Sequence, residues 1–329
     1  MNIHNEPAFY FPLANGKYEV TAGLNRLSQD FGNGAVDQHL LQFDKTFPEY
    51  RKNKLVCRKE RLSKYYQEKK YTPDAKNAIS RFLIRHLCTE HPDKFIKTQH
   101  NQSLQLECLL TGERLHFNRA YEFTRASNSN LKIPYTSALD ALACQLQEDI
   151  AIVQLSNSED YLCALHLCSP NHWGAESKIG KTFIEMHNPV PHMDKINQQS
   201  DNMLQAFMRR GSYARFAWGL ATDNRLNHHL QAPAGFDTQS WIGRSFDINK
   251  PELWIRLERQ TLSGIQETNI ILFTIRTYFY NVYDFRQQKL KLEQISSAIS
   301  SMSRQSLAYK GLQQSKNDIL DWLQSDDMT

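Results

Sequence analysis

The chain has 329 residues, of which 40% are hydrophobic and 22% charged. This length supports a large buried core, and this charged fraction excludes a wholly disordered protein. The formal net charge of +4 comes without a concentrated polybasic segment, so nucleic acid is not the expected partner. Residues 1–6 carry no apolar segment behind a basic start, and the longest apolar stretch, residues 270–273, is too short to cross a bilayer. We therefore expect a cytoplasmic protein with no membrane partner.

The N-terminal half begins with an irregular arm, residues 1–45, that is expected to pack on the core. The basic, helix-favouring residues 50–67 predict a surface helix with a solvated basic face. Residues 75–88 have a helical apolar period and predict a second helix. Residues 104–110 and 114–117 predict a hairpin around Thr111, Gly112 and Glu113.

The second half alternates between strand and helix signals. Residues 138–147 predict a helix, and 150–155 with 161–168 predict two antiparallel strands joined by the polar turn 156–160. A helix is predicted at 201–210, the strongest β signals lie at 253–262 and 270–280, and helices close the chain over 290–322. Strands in the middle with helices at both ends predict an α+β fold, divided into the arm 1–45, a central domain 46–285 and C-terminal helices 286–329 on the same core.

The six cysteines are scattered without a CxxC pair, which predicts free buried thiols. A cysteine-bound iron–sulfur cluster needs thiolates that are close in sequence, so any such cluster is expected on another polypeptide. The chain also lacks the glycine-rich motifs of dinucleotide-binding and P-loop proteins, and the motifs of zincins and nucleophile-elbow hydrolases.

Two short segments carry metal-ligand residue types. His86, Cys88 and His91 lie at a helix end, where such residues commonly cap or pack rather than bind zinc. In the segment 163–168, strand alternation puts Cys163 on the opposite face from His166 and Cys168, which argues against a shared metal.

Several short motifs follow one another between residues 147 and 278. They are Gln147-Glu148-Asp149, Ser169-Pro170-Asn171-His172-Trp173, Lys178-Ile179-Gly180, Met186-His187-Asn188-Pro189-Val190-Pro191, Arg256-Leu257-Glu258-Arg259-Gln260-Thr261-Leu262 and Leu272-Phe273-Thr274-Ile275-Arg276-Thr277-Tyr278. In this order they resemble the alpha subunits of haem-dependent oxidative N-demethylases, and so does the ending 309–312. The chain departs from that pattern at Met186, usually isoleucine, at residues 263–269, and at Ala217, usually asparagine.

The resemblance implies a PAS-like antiparallel β-sheet with flanking N- and C-terminal helices, in which residues 46–285 form a haem b-binding catalytic domain. It implies that O2 is activated at the iron and that an N-methyl group of a small secondary amine, such as dimethylamine, is oxidised. The hemiaminal product would then release formaldehyde. Electrons would come from NADPH through partner subunits that carry FMN and a 2Fe–2S centre. The protein would supply orientation and electrostatics while the haem supplies the oxidising power.

The iron ligand implied by the resemblance is His187, which falls on the histidine of the family's I-H-x-P-V-P motif. A neutral imidazole is the usual proximal ligand of a haem that binds O2. Pro189 and Pro191 restrict the backbone around it, so a stiff loop at the cofactor is predicted. The alternative iron ligand is His192. The alternative role of His187 is to form a hydrogen bond with the backbone without binding iron.

Three motif residues near one another are catalytic candidates. On the strand 253–262, alternation puts Arg259 on the same face as Leu257, and a buried arginine requires an anion or a polar ligand. The partner of Arg259 would be a haem propionate or polarised O2. The alternative is that Arg259 lies at the strand end and pairs with a surface carboxylate. Glu258 and Gln260 point to the other face and are candidates because the family motif includes them.

Further candidates come from the flanking motifs. Arg276 opposes the apolar face of its strand, and would bind a propionate or stay solvated. Arg215 and Trp218 match the family's R-x-N-W segment and are cofactor and substrate candidates. A secondary amine is a cation at neutral pH, so acceptors and aromatic walls are expected around it. The other candidates for that environment are Glu148, Asp149 and Tyr278.

Two other functions are compatible with the motifs. A PAS-type sheet that holds haem can be a gas or redox sensor, although no output domain is visible in the sequence. A haem-free relative could keep the fold for a protein-interaction role.

Overall fold

The computed structural model describes residues 3–156, 159–325 and 328. Its helices are α1 (Phe47–Tyr65), α2 (Pro73–Glu90), α3 (Ala138–Ala143), α4 (Phe183–His187), α5 (Asp194–Gln198), α6 (Ser200–Arg209), α7 (Thr238–Ile242), α8 (Lys289–Ser300), α9 (Arg304–Lys310) and α10 (Lys316–Leu323). Its strands are β1 (Asn25–Arg26), β2 (Tyr66–Glu68), β3 (Phe95–Gln99), β4 (Ser103–Cys108), β5 (Arg114–Asn118), β6 (Phe123–Ser127), β7 (Asp149–Leu155), β8 (Asp160–His166), β9 (Tyr213–Ala221), β10 (Trp254–Ile265) and β11 (Ile270–Asn281). This mixture of helices and antiparallel strands confirms the predicted α+β class.

The large sheet has seven strands in the order β1-β9-β10-β11-β7-β8-β2, and neighbouring strands are antiparallel. Its centre is the hairpin β10–β11, which is in register from Trp254 opposite Asn281 to Ile265 opposite Ile270. Asn269 closes the turn in the left-handed region with a φ of 51°, which asparagine adopts more readily than most residues. Strands β3 to β6 form a separate antiparallel sheet.

One face of the large sheet is covered by the N-terminal arm, and we call it the arm face. Tyr10 packs on Phe216 and Tyr278, with ring centroids 4.7 Å and 5.7 Å apart. The C-terminal helices cover the end of the same face, where Ile255 and Leu220 join a core cluster with α8 and α10. The arm-face residues at the sheet centre are Leu257, Arg259 and Thr261 of β10, Thr274, Arg276 and Tyr278 of β11, and Phe216 and Trp218 of β9.

The other face carries the helix that ends at His187, and we call it the histidine face. Phe183 and Met186 of α4 and Phe207 of α6 pack there against Ile271 and Ile275. The histidine-face residues at the sheet centre are Arg256, Glu258 and Gln260 of β10, Arg215, Ala217 and Gly219 of β9, and Thr277 and Phe279 of β11. Because successive strand residues alternate, this set and the arm-face set cannot meet in one site.

The basic run forms helix α1. The prediction that its basic residues make a solvated face is wrong for three of them. Lys54, Arg58 and Lys64 are buried. Lys54 donates to the carbonyl oxygens of Ala143, at 2.7 Å, and of Glu148, while Arg58 pairs with Asp140 at 2.7 Å. Three of the basic residues therefore fasten α1 to α3 and to neighbouring loops.

Most predicted elements are confirmed within a few residues, with specific exceptions. The helix predicted at 138–147 ends at Ala143. The strands β1, β2, β3, β6 and β9 and the short helices α4, α5 and α7 were not predicted. Residues 157 and 158 of the predicted turn lie outside the described residues. No helix in the described part of the chain is both long enough and apolar enough to span a membrane.

Candidate functional site

Local sequence explains why a short helix presents His187. Thr182 accepts a hydrogen bond from the Glu185 backbone N–H, while the Glu185 carboxylate accepts from the Thr182 backbone N–H at 2.9 Å, so a capping box starts α4. Asn188 after the helix still has helical backbone angles, with a φ of −47° and a ψ of −36°, and the next residue, Pro189, has no backbone N–H with which to continue the helix. His187 is the last residue of a helix, so the prediction that it lies in a stiff loop is wrong. Pro189 itself is exposed.

The two ring nitrogens of His187 have different environments. Nδ1 lies 2.7 Å from the Phe183 carbonyl oxygen, which can only accept, so Nδ1 carries the proton. Burial lowers the pKa of His187 to about 4, with nearby Arg215 and Lys178 acting in the same direction. The imidazole is therefore neutral, and Nε2 keeps a lone pair with no hydrogen-bond partner among the described residues. A backbone carbonyl that fixes the tautomer in this way is typical of metal-binding histidines.

His192 differs from His187 in both position and partner. It is exposed, has a φ of 63°, and its Nε2 lies 2.8 Å from Ser303 Oγ, just before α9. The alternative ligand is thus a surface residue that already contacts a hydroxyl.

Three cations meet on the histidine face beside β9. Arg215 lies on β9 opposite Gln260. Lys310 ends α9, which Gly311 closes with a φ of 71°, and its ammonium donates to the Trp218 carbonyl oxygen at 2.7 Å. Arg244 packs against Gly311. We call Arg215, Arg244 and Lys310 the cation group.

The cation group is short of anionic partners. Nε of Arg215 and Nε of Arg244 are buried without a hydrogen-bond partner among the described residues, and none of the three side chains forms an ion pair there. Burial lowers the pKa of Lys310 to about 8; Glu258 opposes this shift, while Arg244 and Arg215 add to it. Burial likewise lowers the pKa of Arg244 to about 10. A ligand with carboxylates would relieve these cations.

Glu258 and Gln260 share the histidine face with the cation group, as their predicted orientation requires. Gln260 donates its amide N–H to Glu258 Oε2 at 3.0 Å, and Arg256 Nε lies 3.8 Å from Oε1. Arg256 is fully buried and also donates to Ser169 O at 2.6 Å and to Leu226 O at 3.1 Å. The carboxylate of Glu258 is therefore held between an amide and a guanidinium.

Two other candidates, Trp218 and Arg259, lie on the arm face, so they do not join His187. Trp218 packs against the Tyr18 ring at 5.6 Å. Arg259 is wholly buried in mid-strand and donates to the carbonyl oxygens of Asp37 and His39, at 3.0 Å and 2.8 Å, so neither a surface carboxylate nor a ligand beside His187 is its partner. These contacts join the sheet to its cover, while Arg259 Nε and Nη1 are buried without a hydrogen-bond partner among the described residues.

Arg276 was predicted to bind a propionate or to stay solvated; the solvated alternative is wrong, and the propionate alternative stays a prediction. It is wholly buried, pairs with Asp44 Oδ2 at 2.7 Å and lies over the Tyr50 ring at 3.8 Å. Its partners come from the arm and α1, because it points to the arm face.

The acceptors considered for an amine mostly have protein partners. Glu148 accepts the Gln42 backbone N–H through Oε1 at 2.8 Å, while its buried Oε2 has no hydrogen-bond partner among the described residues. Tyr278 donates its hydroxyl to the Gln42 side chain. Asp149 accepts the backbone N–H groups of Cys168 and Ser169, at 2.9 Å and 2.6 Å. A cavity of about 220 Å³ lies on the arm face beside Tyr278, but it is smaller than the roughly 300–1,000 Å³ of ordinary cofactor sites.

Two buried groups have metal-ligand atoms within 4.8 Å of one another, and His166 belongs to both: Asp140, Cys144 and His166, and Asp149, His166 and Cys168. Burial lowers the pKa of His166, while Cys168, Asp140 and Cys144 raise it, and both ring nitrogens already have polar neighbours, Asp140 Oδ1 at 3.4 Å and Cys168 Sγ at 3.9 Å. Asp140 already binds Arg58 through both oxygens, at 2.8 Å and 2.7 Å. The two groups thus form a buried ion-pair network rather than a metal site.

The zinc ligands considered on α2 also have other partners. His86 Nδ1 lies 2.6 Å from Glu90 Oε1, and His91 Nε2 lies 2.7 Å from the Leu41 carbonyl oxygen. Cys163 belongs to neither metal-ligand group; its thiol donates to the Ile152 carbonyl oxygen.

A comparison with protein families decides the relationship. The model of the family described as haem-dependent oxidative N-demethylase, alpha subunit-like, matches residues 33–320. The chain belongs to this family. The match includes all the residues of the histidine face described above, and it extends well beyond the motif region that carries the resemblance.

The histidine face of this N-demethylase family member fits haem by its donor chemistry. A haem offers an iron for one neutral imidazole and two propionates for cations. His187 supplies a free Nε2, and Arg215 and Arg244 supply buried N–H groups without partners. Of these residues, Arg244 and Lys310 were not predicted; the only signal for Lys310 was its place in the segment 309–312.

Proposed function

We propose that the chain is a haem-dependent oxidative N-demethylase that removes an N-methyl group from a small secondary amine, such as dimethylamine, as formaldehyde. The observation that carries this proposal is the neutral His187, whose free Nε2 lies on the same sheet face as three cations without carboxylate partners. The family match supplies the reaction class.

In this proposal the sheet is a PAS-like haem-binding scaffold within residues 46–285. His187 would hold the iron through Nε2, while the Phe183 carbonyl keeps the proton on Nδ1 and fixes the ring. Arg215, Arg244 and Lys310 would bind the propionates. Haem, when bound, supplies the oxidising chemistry.

The polar pair Glu258 and Gln260 would orient the amine. Glu258 Oε1 and Oε2 are held by Arg256 and Gln260, so the pair presents fixed acceptors on the histidine face. Orientation by fixed groups lowers the barrier because the alignment cost is met on binding.

Electrons would come from NADPH through partner subunits with FMN and a 2Fe–2S centre. This division is supported by cysteine usage, because the described residues bring together no group of four thiols: Cys57 shares a small core cluster with Cys168, and Cys144 and Cys168 each lie beside His166. A cluster would need thiolates grouped at one site.

The visible spectrum of the protein loaded with haem tests the ligand assignment. We expect the wild-type protein and the control His192→Ala to give the same intense Soret band, and His187→Ala to lose normal ligation. With dimethylamine, NADPH and a reductase, the wild-type protein should release formaldehyde. Normal ligation in His187→Ala would contradict the ligand assignment, whereas bound haem without formaldehyde release would favour a sensor.

A further inference from the structure

We infer that His172 donates a hydrogen bond to the small ligand that haem iron binds on the side opposite His187, an inference that rests on the proposed function. His172 lies in the motif 169–173, and no role was predicted for it. Three features of the residue support this role: the way its ring is held, the state of its ring nitrogens, and its place on the sheet.

The backbone and the ring of His172 are both held by His228. The φ of His172 is 61°, in the left-handed region that residues other than glycine rarely adopt and that persists only where the surroundings enforce it. Its backbone N–H donates to the His228 carbonyl oxygen at 2.9 Å, and the two rings stack with their centroids 5.5 Å apart. A ring held in this way is preorganised to meet a ligand.

His228 is itself fixed through both ring nitrogens. Nε2 lies 2.8 Å from Asp223 Oδ1, and Nδ1 lies 3.0 Å from Arg256 Nη1. Because a guanidinium can only donate, Nδ1 accepts and Nε2 carries the proton. The ring also lies 6.3 Å from the Phe279 ring, between centroids, on the histidine face. His228 therefore has no nitrogen left for a ligand and is a rigid support for the His172 ring.

The ring nitrogens of His172, by contrast, have no hydrogen-bond partner among the described residues. Burial lowers the pKa of His172 to about 2, with Arg244, His228 and Arg256 acting in the same direction. The ring is therefore neutral near pH 7, with one N–H to donate and one lone pair. Hydrogen-bond donors of this kind determine how a haem pocket treats a ligand on the iron.

The segment that carries His172 and the helix that carries His187 pack in one core cluster. Trp173, next to His172, joins Phe183 and Met186 of α4 in the cluster of the histidine face. Helix α4 ends at His187. The two neutral imidazoles are therefore presented by neighbouring elements on the same face of the sheet.

The cation group extends from one imidazole to the other. Arg215 lies near His187 and Arg244 lies near His172, since each arginine lowers the pKa of the neighbouring imidazole. Between these two ends, β9 presents the small side chain of Ala217 to the same face. Propionates bound to the cation group would put the edge of the porphyrin between the two rings, with one imidazole on each side.

The first test is the C–O stretching frequency of carbon monoxide bound to the reduced, haem-loaded protein, measured by infrared spectroscopy. A donor beside the CO oxygen lowers this frequency, because it draws electron density into the C–O antibonding orbital. His172→Gly removes the ring, and glycine adopts a φ of 61° without strain, so the variant should keep its fold. We expect the frequency to rise in this variant.

The second test is fluoride binding to the ferric, haem-loaded protein, followed by the visible spectrum. We expect His172→Gly to weaken fluoride binding at least about tenfold, which is the effect of losing one hydrogen bond to a charged group. The matched control is His192→Gly, because His192 is also left-handed, with a φ of 63°, but is exposed and contacts Ser303. It should change neither fluoride binding nor the CO frequency.

Unchanged values in His172→Gly, together with normal iron ligation, would overturn the inference and leave the N-demethylase proposal intact. A wild-type haem that is six-coordinate through two imidazoles before any ligand is added would also overturn it, because His172 would then bind the iron itself. If the wild-type protein takes up no haem, the proposed function fails, and the inference fails with it.

Discussion

Arg276 and Asp44 form an ion pair that is almost completely removed from water. Their side chains are 1% and 5% exposed, and the guanidinium is also placed against Tyr50. Burial by itself would raise the pKa of Asp44, but Arg276 and the Thr46 hydrogen bonds outweigh it and lower the pKa. Because the folded pKa is below the unfolded one, this pair stabilises the fold above the unfolded pKa and less as the pH falls through the folded value.

Replacing Asp44 by Asn should therefore destabilise the protein by about 3–5 kcal/mol, since it leaves a buried guanidinium without its counter-charge. The free energy of unfolding, from urea denaturation, is the measurement. The matched control is Glu6→Gln, which breaks the exposed pair of Glu6 with Lys45 at 2.6 Å and should cost less than about 1 kcal/mol. Equal effects of the two variants would show that the arm is not fastened to the sheet by Arg276.

At the scale of elements, the contact between α6 and the central hairpin depends on one residue without a side chain. A Cβ at Gly264 of β10 would lie 2.5 Å from Met208 Cα and 2.6 Å from the Phe207 carbonyl oxygen, both backbone atoms of α6. Backbone atoms cannot move aside as a flexible side chain does, so the helix must shift.

Gly264→Ala should thus destabilise the fold by about 1–3 kcal/mol, by the mechanism of overpacking. Gly219 of β9 is the control, because a Cβ there meets Lys310 at an ordinary 3.8 Å, and Gly219→Ala should change stability by less than about 1 kcal/mol. Thermal unfolding of both variants is the measurement. A Gly264→Ala protein as stable as the control would mean that α6 is not packed tightly on β10.

The elements also show where sequence patterns were sufficient. Alternation along β10 correctly separated Glu258 and Gln260 from Arg259, because side-chain direction in a strand depends only on local geometry. Alternation does not say which face receives the cofactor. The arm covers Arg259, and this depends on contacts with Asp37 and His39, more than 200 residues away in sequence. Tertiary contacts of this kind leave no local pattern.

Arg244 and Lys310 were not predicted, for the same reason. Arg215, which was predicted, lies on a strand, whereas Arg244 lies in an irregular segment and Lys310 at a helix end, so no spacing rule connects the three residues. His187 was found only because a family motif contains it. The sequence therefore predicted the proposed ligand His187 and one member of the cation group, Arg215, but not the other two members.

At the scale of the whole molecule, the proposed haem site is assembled from distant parts of the chain. His187 comes from α4, while the cation group comes from β9, the segment after α7, and α9. Such a site exists only when the C-terminal helices are docked on the sheet, because Lys310 reaches it through its contact with the Trp218 carbonyl oxygen. Haem affinity should therefore report on the cation group separately from the iron ligand.

Haem dimethyl ester, in which both propionates are neutral, distinguishes the contribution of the cation group from that of the iron ligand. We expect wild-type protein to bind it at least about tenfold more weakly than haem, because hydrogen bonds to charged groups contribute roughly 1.5–3 kcal/mol each. Lys310→Gln should weaken haem binding by a similar factor and leave ester binding unchanged. Soret titration gives the dissociation constants of haem and of its dimethyl ester. The proposed iron ligand, His187, is the same in the wild-type and Lys310→Gln proteins.

Arg304→Gln is the control for that experiment, because Arg304 is an exposed cation at the start of the same helix and should not affect either constant. If Lys310→Gln weakens haem and ester binding equally, Lys310 acts by supporting the fold and the propionates lie elsewhere. If the wild-type protein binds haem and its ester equally well, the cation group does not meet the propionates at all. The free Nε2 of His187 would then remain as the single argument for haem on this face.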